Sequence, residues 1–170
     1  MEEKLTLYKL MILYMLKSVK FPLTTSQISE FIVEKGYTNF FKVQQSINEL
    51  LNSHLIIDDK TYNKTSYYLS LEGKESVKYI GDDLNQMIRD DIDNYIANNK
   101  NRLLNEFSTK SYFEQLSDSS FLVHCIVEED GINQVSLNLT VPKREMAESI
   151  ANNWQSKNVD IYSYIMKQLL

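Results

Sequence analysis

The side chains best suited to covalent or acid–base chemistry are two histidines, His54 and His124, and one cysteine, Cys125. Neither histidine stands at a metal-ligand spacing from a cysteine, another histidine or a carboxylate. His124 and Cys125 are neighbours on a predicted strand and point to opposite faces, so they cannot form a nucleophile–base pair directly. The 4 glycines are scattered along the chain and build no phosphate-binding loop. We therefore expect no enzyme, no cofactor and no metal ion.

A second group of residues has the chemistry of recognition rather than catalysis. Residues 39–52 carry Gln, Asn and Lys between apolar positions that recur at helical spacing. Amide side chains can form two hydrogen bonds to an adenine edge, and a lysine ammonium can bind a phosphate. The solvated face of an ordinary surface helix has the same composition, and this stretch alone favours that interpretation over base recognition. The candidate recognition residues on this helix are Lys42, Gln44, Gln45 and Asn48.

The elements around this helix have the order of a helix-turn-helix. Thr24 and Gln27 have the spacing of a capping box, which predicts that a short helix begins there. Gly36 supplies the left-handed conformation at which a helix commonly ends, and a second helix is predicted to start near Thr38 or Asn39. Its predicted buried stripe consists of Phe40, Val43, Ile47, Leu50 and Leu51.

Two β-prone segments follow, and a polar tip joins them. Residues 55–57 are apolar, residues 67–71 are rich in tyrosine and leucine, and the tip at 58–66 carries Lys60 and Lys64. A lysine-bearing hairpin tip can lie beside a phosphate backbone, so these two lysines complete the candidate set.

Together, residues 24–73 resemble the bacterial winged helix-turn-helix transcriptional regulators. The segment Leu-Ser-Leu-Glu-Gly-Lys at 69–74 is similar to the one with which that family leaves the hairpin, or wing, and enters its next helix. Within this segment, Ser70 is expected to cap the next helix, and Gly73 permits close packing. The resemblance implies a homodimer on double-stranded DNA, with the second helix in the major groove and the wing on phosphate. The sequence departs from the family pattern in two ways: residues 1–80 contain no arginine, and Glu49 lies on the second helix of the helix-turn-helix, which would contact the bases.

Charge bears directly on a nucleic-acid partner. The chain carries 18 basic and 23 acidic residues, a net charge of −5. Residues 1–80 hold 10 lysines against 9 acidic residues, whereas residues 81–108 and 109–170 each have a net charge of −3. The candidate DNA-binding part is the only one that is not negative, but its excess is small for a protein that neutralises several phosphates.

A rival interpretation is a protein-docking module in which the same helix binds another protein. The electrostatic surface discriminates between the two. A continuous positive stripe across helix and wing favours DNA, and a neutral or mixed surface favours protein.

We predict an α+β fold in three parts: a winged helix-turn-helix domain at 1–80, a connecting or dimerisation helix at 81–108, and an α+β module at 109–170. Residues 1–19 are predicted to form a helix that is apolar on most sides and therefore needs cover on most sides. The long helix at 81–108 is typical either of a dimer contact or of packing within the chain. Which surface would pair two copies is left open.

The last module is predicted to contain three antiparallel strands and then two helices. Residues 121–127 are almost continuously apolar, Asp130-Gly131 is a two-residue hairpin signal, and residues 134–141 alternate between polar and apolar side chains. A strand at 111–116 precedes them, and a break after Asn158 separates the two helices. The polar sheet face leaves open a small-molecule effector, although such a face more often meets water.

The cellular compartment follows from cysteine usage and from apolar runs. A single cysteine excludes an internal disulfide and suits a reducing compartment. No apolar run approaches the ~18 residues of a membrane span, and the run at 10–16 has no small-residue cleavage site after it. We expect a cytoplasmic protein without a membrane partner.

The order of parts over the whole chain also resembles a bacterial family that is described as a domain of unknown function. That order is a winged helix, a long helix, and a hairpin module that ends in Trp-bearing and Tyr-bearing helices. The resemblance implies an architecture and a role in regulation, but no site residues.

Overall fold

A computed structural model describes residues 2–60, 64–80 and 83–170, which fall into two compact units, residues 1–103 and 104–170. Each unit has its own hydrophobic core. The described residues form six helices and two three-stranded antiparallel sheets. The predicted α+β class is confirmed.

The first unit consists of a helical cluster and a small sheet. Its elements are α1 (Glu2–Ser18), β1 (Leu23–Thr24), α2 (Thr25–Glu34), α3 (Phe40–Asn52), β2 (Ile56–Lys60), β3 (Thr65–Leu69), α4 (Leu71–Ile80) and most of α5 (Gln86–Ser108). β3 is the central strand and pairs antiparallel with β1 on one side and β2 on the other. A helix pair followed by an antiparallel hairpin is the order of elements that the sequence predicts for this part of the chain. Residues 61–63 of the predicted hairpin tip lie outside the described residues.

Side-chain caps fix where the two helices of the predicted helix-turn-helix begin. The Thr24 hydroxyl accepts from the backbone nitrogen of Gln27 at 3.2 Å, and the side-chain oxygen of Gln27 accepts from the backbone nitrogen of Thr24 at 2.9 Å. This is the predicted capping box. Asn39 caps α3 by accepting from the Lys42 nitrogen at 3.0 Å. Gly36 lies between the helices with φ +73°, in the left-handed region that favours glycine.

The core of the first unit is organised on α1. Met11, Ile12 and Met15 are fully buried, and α1 packs on α3, α4 and β3. The cover that a helix apolar on most sides requires is therefore supplied within this unit.

The first part of α5 adds to the same core. Ile88 and Ile92 belong to the buried cluster, and the Tyr95 ring lies 5.1 Å from the ring of Phe31 on α2. Of the two interpretations left open for this helix, the described contacts are those of packing within the chain.

Polar contacts reinforce that packing at the surface. The Tyr37 hydroxyl donates to Asp91 at 2.7 Å. Burial and this bond raise the pKa of Tyr37 to about 12, and the same bond holds the pKa of Asp91 below its ordinary value. The Arg102 guanidinium donates to both carboxylate oxygens of Glu30, at 2.8 and 3.1 Å, which is the two-point geometry that arginine favours.

The second unit is a three-stranded sheet with one helix on it. Its elements are β4 (Thr109–Ser117), β5 (Ser120–Glu129), β6 (Ile132–Val141) and α6 (Arg144–Leu169), and the strand order is β4-β5-β6. The predicted hairpin turn is confirmed, because Asp130 and Gly131 have φ of 50° and 77°, as a type I′ turn requires. Val123 and Cys125 on β5 pack in one buried cluster with Ala151 and Trp154 on α6.

The prediction of two helices after the sheet is wrong, because α6 is continuous from Arg144 to Leu169. Asn158, where the break was predicted, is 3% exposed. Its side-chain amide donates to the carbonyls of Trp154 and Gln155 at 3.1 and 2.9 Å. An asparagine bonded back to the preceding turn remains in the helix instead of competing with its backbone.

Gly73 offers a test of how the hairpin joins α4. A methyl group at this position would collide with the backbone carbonyl of Leu55. We expect Gly73→Ala to lower the free energy of unfolding by about 1–3 kcal/mol, as overpacking typically does, when measured by urea denaturation. Glu72→Ala, an exposed site on the same helix, should change it by less than about 0.5 kcal/mol. A Gly73→Ala variant as stable as the wild type would contradict the close approach.

Candidate nucleic-acid interface

The outward face of α3 lies opposite a buried stripe of Val43, Ser46, Ile47 and Leu50. Asn48 is exposed, and Gln44 and Gln45 are half-buried at the margins of the outward face. The sequence-predicted amide residues therefore lie on the surface of α3 and not in the core.

Phe40 corrects the predicted stripe, because it is 56% exposed. Phe40 is the first residue of α3, directly after the Asn39 cap, and the buried stripe begins only at Val43. Ser46 occupies the core position that the sequence did not predict, and its hydroxyl donates to the Lys42 carbonyl at 2.8 Å. Leu51 is only partly buried.

A chain of polar contacts runs along one side of α3. The Lys42 ammonium donates to the side-chain oxygen Oε1 of Gln45 at 3.2 Å, and the side-chain nitrogen Nε2 of Gln45 donates to Glu49 at 3.4 Å. Lys9 on α1 completes it with an ion pair to Glu49 at 3.1 Å. Gln45 must therefore exchange these partners before it can bind anything else, and the negative charge of Glu49 is balanced from α1.

Gln44 and Asn48 differ from Gln45. In residues 2–60, 64–80 and 83–170, no hydrogen bond engages the side chain of either one. Their amides can accept and donate to a ligand without first breaking an internal contact. Of the predicted set, these two side chains are the most available for hydrogen bonds with a base edge.

The hairpin carries charges of both signs. Lys60 ends β2, is 73% exposed and pairs with Asp58 at 3.1 Å. Lys64 precedes β3 and is half-buried, and Asp59 is exposed. Two lysines and two aspartates cancel, so the surface over α3 and the hairpin is mixed and not a continuous positive stripe.

The six predicted site residues thus fall on two elements of the first unit. The structure places four on α3, Lys60 at the end of β2 and Lys64 immediately before β3. Their role in binding stays a prediction, because a position on a surface does not show what the surface binds.

The sequence analysis missed Phe41, which is 74% exposed at the start of α3. A signal was present: Phe40 and Phe41 are adjacent, and neighbours on a helix point about 100° apart, so one core face cannot hold both rings. This aromatic pair makes the start of α3 the most apolar part of its outward face.

Of the groups suited to catalysis, His124 and Cys125 lie in the second unit and His54 lies in the first. Cys125 is 1% exposed, and burial raises the pKa of its thiol to about 11. His124 contacts Asn138 at 2.9 Å and Glu114 at 3.1 Å, and it stacks on Tyr112. In the part of the chain that the structure describes, no three His, Cys, Asp or Glu side chains are grouped to hold a metal ion.

No helix in the described ranges combines the length and the apolar composition that a bilayer crossing requires.

Comparison with protein families identifies one model, described as Domain of unknown function (DUF4364), that matches residues 8–169. The match covers nearly the whole chain, so the chain belongs to this family. The predicted resemblance to a domain-of-unknown-function family is thereby confirmed. No curated protein and no solved structure matches the chain.

The division of α3 into two faces can be tested by stability alone. Ile47 is fully buried, so we expect Ile47→Ala to lower the free energy of unfolding by about 2–5 kcal/mol. Phe41→Ala removes a larger but exposed side chain and should change it by no more than about 0.5 kcal/mol. Urea denaturation of the two variants measures both effects. A large loss for Phe41→Ala would show that this ring is covered in the folded protein.

Proposed function

We propose that this member of the DUF4364 family is a winged-helix DNA-binding protein that acts as a homodimer, in the manner of a transcriptional regulator. The observation that carries the proposal is the surface position of Gln44, Gln45 and Asn48 on α3. Buried amides on this helix would have been incompatible with it.

The chemistry of α3 suits a major groove. Gln44 and Asn48 can each form paired hydrogen bonds with adenine, and Phe41 can contact a thymine methyl group. Lys42 lies in the first turn of the helix, where the helix dipole also favours a phosphate. Lys60 and Lys64 supply phosphate contacts from the hairpin.

Charge explains why two copies would be needed. Residues 1–80 carry one net positive charge, and Glu49, Asp58 and Asp59 lie among the candidate contacts. A single copy therefore gains little from counterion release. Two copies on neighbouring half-sites bind more tightly than one, because the second contact becomes intramolecular.

The end of α6 offers the surface that would pair two copies. Ala147, Ala151, Trp154 and Asn158 form the buried stripe of this helix, but no residue after Asn158 is buried. The same stripe nevertheless continues with apolar side chains for three more turns. These are Ile161, Tyr162, Ile165 and Leu169. Ile161 packs partly against the core of this unit, whereas Tyr162 and Leu169 are exposed. Exposed apolar side chains in one stripe mark an interaction surface, and a second copy of the helix would cover them.

DNA binding is tested by reversing charge at two candidate contacts. We expect Lys42→Glu with Lys64→Glu to weaken binding to any duplex and to flatten its salt dependence, lowering the slope of log K against log salt by roughly one per lost phosphate contact. Fluorescence anisotropy with a labelled random duplex at several salt concentrations measures both quantities.

The matched control carries the same charge change at exposed lysines of the second unit, Lys143→Glu with Lys157→Glu. It should bind as the wild type does. An absence of duplex binding by the wild-type protein at low salt, or equal losses in both double variants, would rule out the proposed interface.

Dimerisation has its own test. We expect the wild-type chain to have twice its 19.9 kDa mass in solution and Ile165→Glu with Leu169→Glu to make it monomeric, because charges cannot be buried unpaired in an apolar contact. Light scattering after size-exclusion chromatography gives the mass. Ser156→Glu with Ser163→Glu changes two exposed residues of the same helix and should remain dimeric. A monomeric wild type would contradict this assignment.

A second candidate function is protein docking through the same face of α3. Two observations favour it: the exposed Phe40 and Phe41, and the mixed charge of helix and hairpin. In that case Phe40→Ala with Phe41→Ala would abolish binding of the protein partner, and the wild-type chain would show no salt-dependent affinity for duplex DNA. The anisotropy measurement therefore separates the two functions.

A further inference from the structure

An open cleft of about 640 Å³ lies in the first unit, and none of its lining residues belongs to α3 or to β2. The end of α1, the segment that connects α1 to β1, the end of β3 and the middle of α4 form its walls. Its volume lies within the range typical of small-molecule sites. The cleft is therefore separate from the candidate nucleic-acid interface and large enough for a ligand.

The floor of the cleft is apolar. Leu16, Leu69 and Val77 reach it from the buried core, and Val19 and Phe21 contribute partly exposed surface. Tyr68, which is 42% exposed, also lines it. When an apolar ligand covers apolar surface that is exposed to water at a concave site, the free energy of the system falls.

Four lysines also line the cleft, and among the described residues no acidic side chain lines it. They are Lys17, Lys20, Lys74 and Lys78. Lys78 pairs with Glu75 at 3.0 Å. Within the described ranges, Lys17, Lys20 and Lys74 have no ion pair. The cleft therefore combines apolar surface with three lysines that form no ion pair within the described ranges.

We propose that this cleft binds a small amphipathic anion, a molecule with an apolar chain or ring and a carboxylate or phosphate head. The apolar body covers the floor, and the head lies among the lysines. Lysine ammonium groups act as mobile point charges on long apolar stems, so they follow the head without demanding one planar geometry. The charge pattern excludes a cationic amphiphile from the same position.

The apolar floor distinguishes this site from a second phosphate-binding patch for DNA. A duplex backbone presents charge but no apolar body that would cover Leu16, Leu69 and Val77. The proposal is independent of DNA binding, because none of the six candidate DNA contacts lines the cleft.

The test uses the full chain with labelled methyl groups and nuclear magnetic resonance. The probes are decanoate, decyl phosphate, decyltrimethylammonium and acetate, each below its aggregation concentration. We expect saturable shifts of the Val19, Leu69 and Val77 methyls with decanoate or decyl phosphate. Acetate and the cationic probe should give none. The anionic probe that binds more tightly identifies the head group.

Charge removal completes the test. Lys17→Gln, Lys20→Gln and Lys74→Gln combined should weaken binding of the anionic probe by roughly tenfold, the sum of three exposed charge contacts. Lys100→Gln, Lys143→Gln and Lys157→Gln, at exposed sites away from the cleft lining, should leave it unchanged. The proposal is overturned if neither anionic probe shifts the cleft methyls, if the cationic probe binds equally well, or if both triple variants behave alike. Shifts caused by duplex DNA alone would assign the lysines to nucleic acid instead.

Discussion

The first unit depends on the burial of one helix that is apolar on most of its circumference. Met11, Ile12 and Met15 are fully buried, and elements from α3 to the beginning of α5 contribute to the cluster around α1. Because packed interiors tolerate little displacement, the buried side of α3 is fixed by this contact. Its outward side is fixed with it. The direction in which the amide residues point is thus a consequence of packing on the opposite face.

Both local and long-range contacts determine the position of α3. Its beginning is set by Asn39 one residue upstream, whereas its polar flank is joined to α1 by Lys9, which lies 40 positions from Glu49 in the sequence. The ion pair is partly exposed, so it contributes little to stability. Its more important effect is on chemistry, since it offsets an acidic charge beside the candidate DNA contacts.

The features that the sequence predicts correctly depend on residues close together in the chain, whereas those it misses depend on contacts between distant residues. Thr24 with Gln27, Asn39, and Asp130-Gly131 act within a few residues, so their patterns located helix starts and a turn correctly. Asn158 was misjudged because asparagine favours breaks only when its side chain has no better partner, and its burial depends on the packed sheet. The lysine-rimmed cleft joins residues 16–22 with residues 68–78, and no periodic pattern connects such distant segments. The surface residues of α3 were predictable as a face, but not their charge partners.

The single tryptophan lies in the second unit, where Trp154 is 3% exposed and its indole nitrogen donates to the Ile126 carbonyl at 3.1 Å. Indole emission shifts to longer wavelength when water reaches the ring. Intrinsic tryptophan fluorescence therefore reports the unfolding of the second unit and does not report the unfolding of the first. Far-ultraviolet circular dichroism reports both. A difference between the two melting curves would reveal directly whether the halves of the chain unfold as one cooperative body or in separate steps.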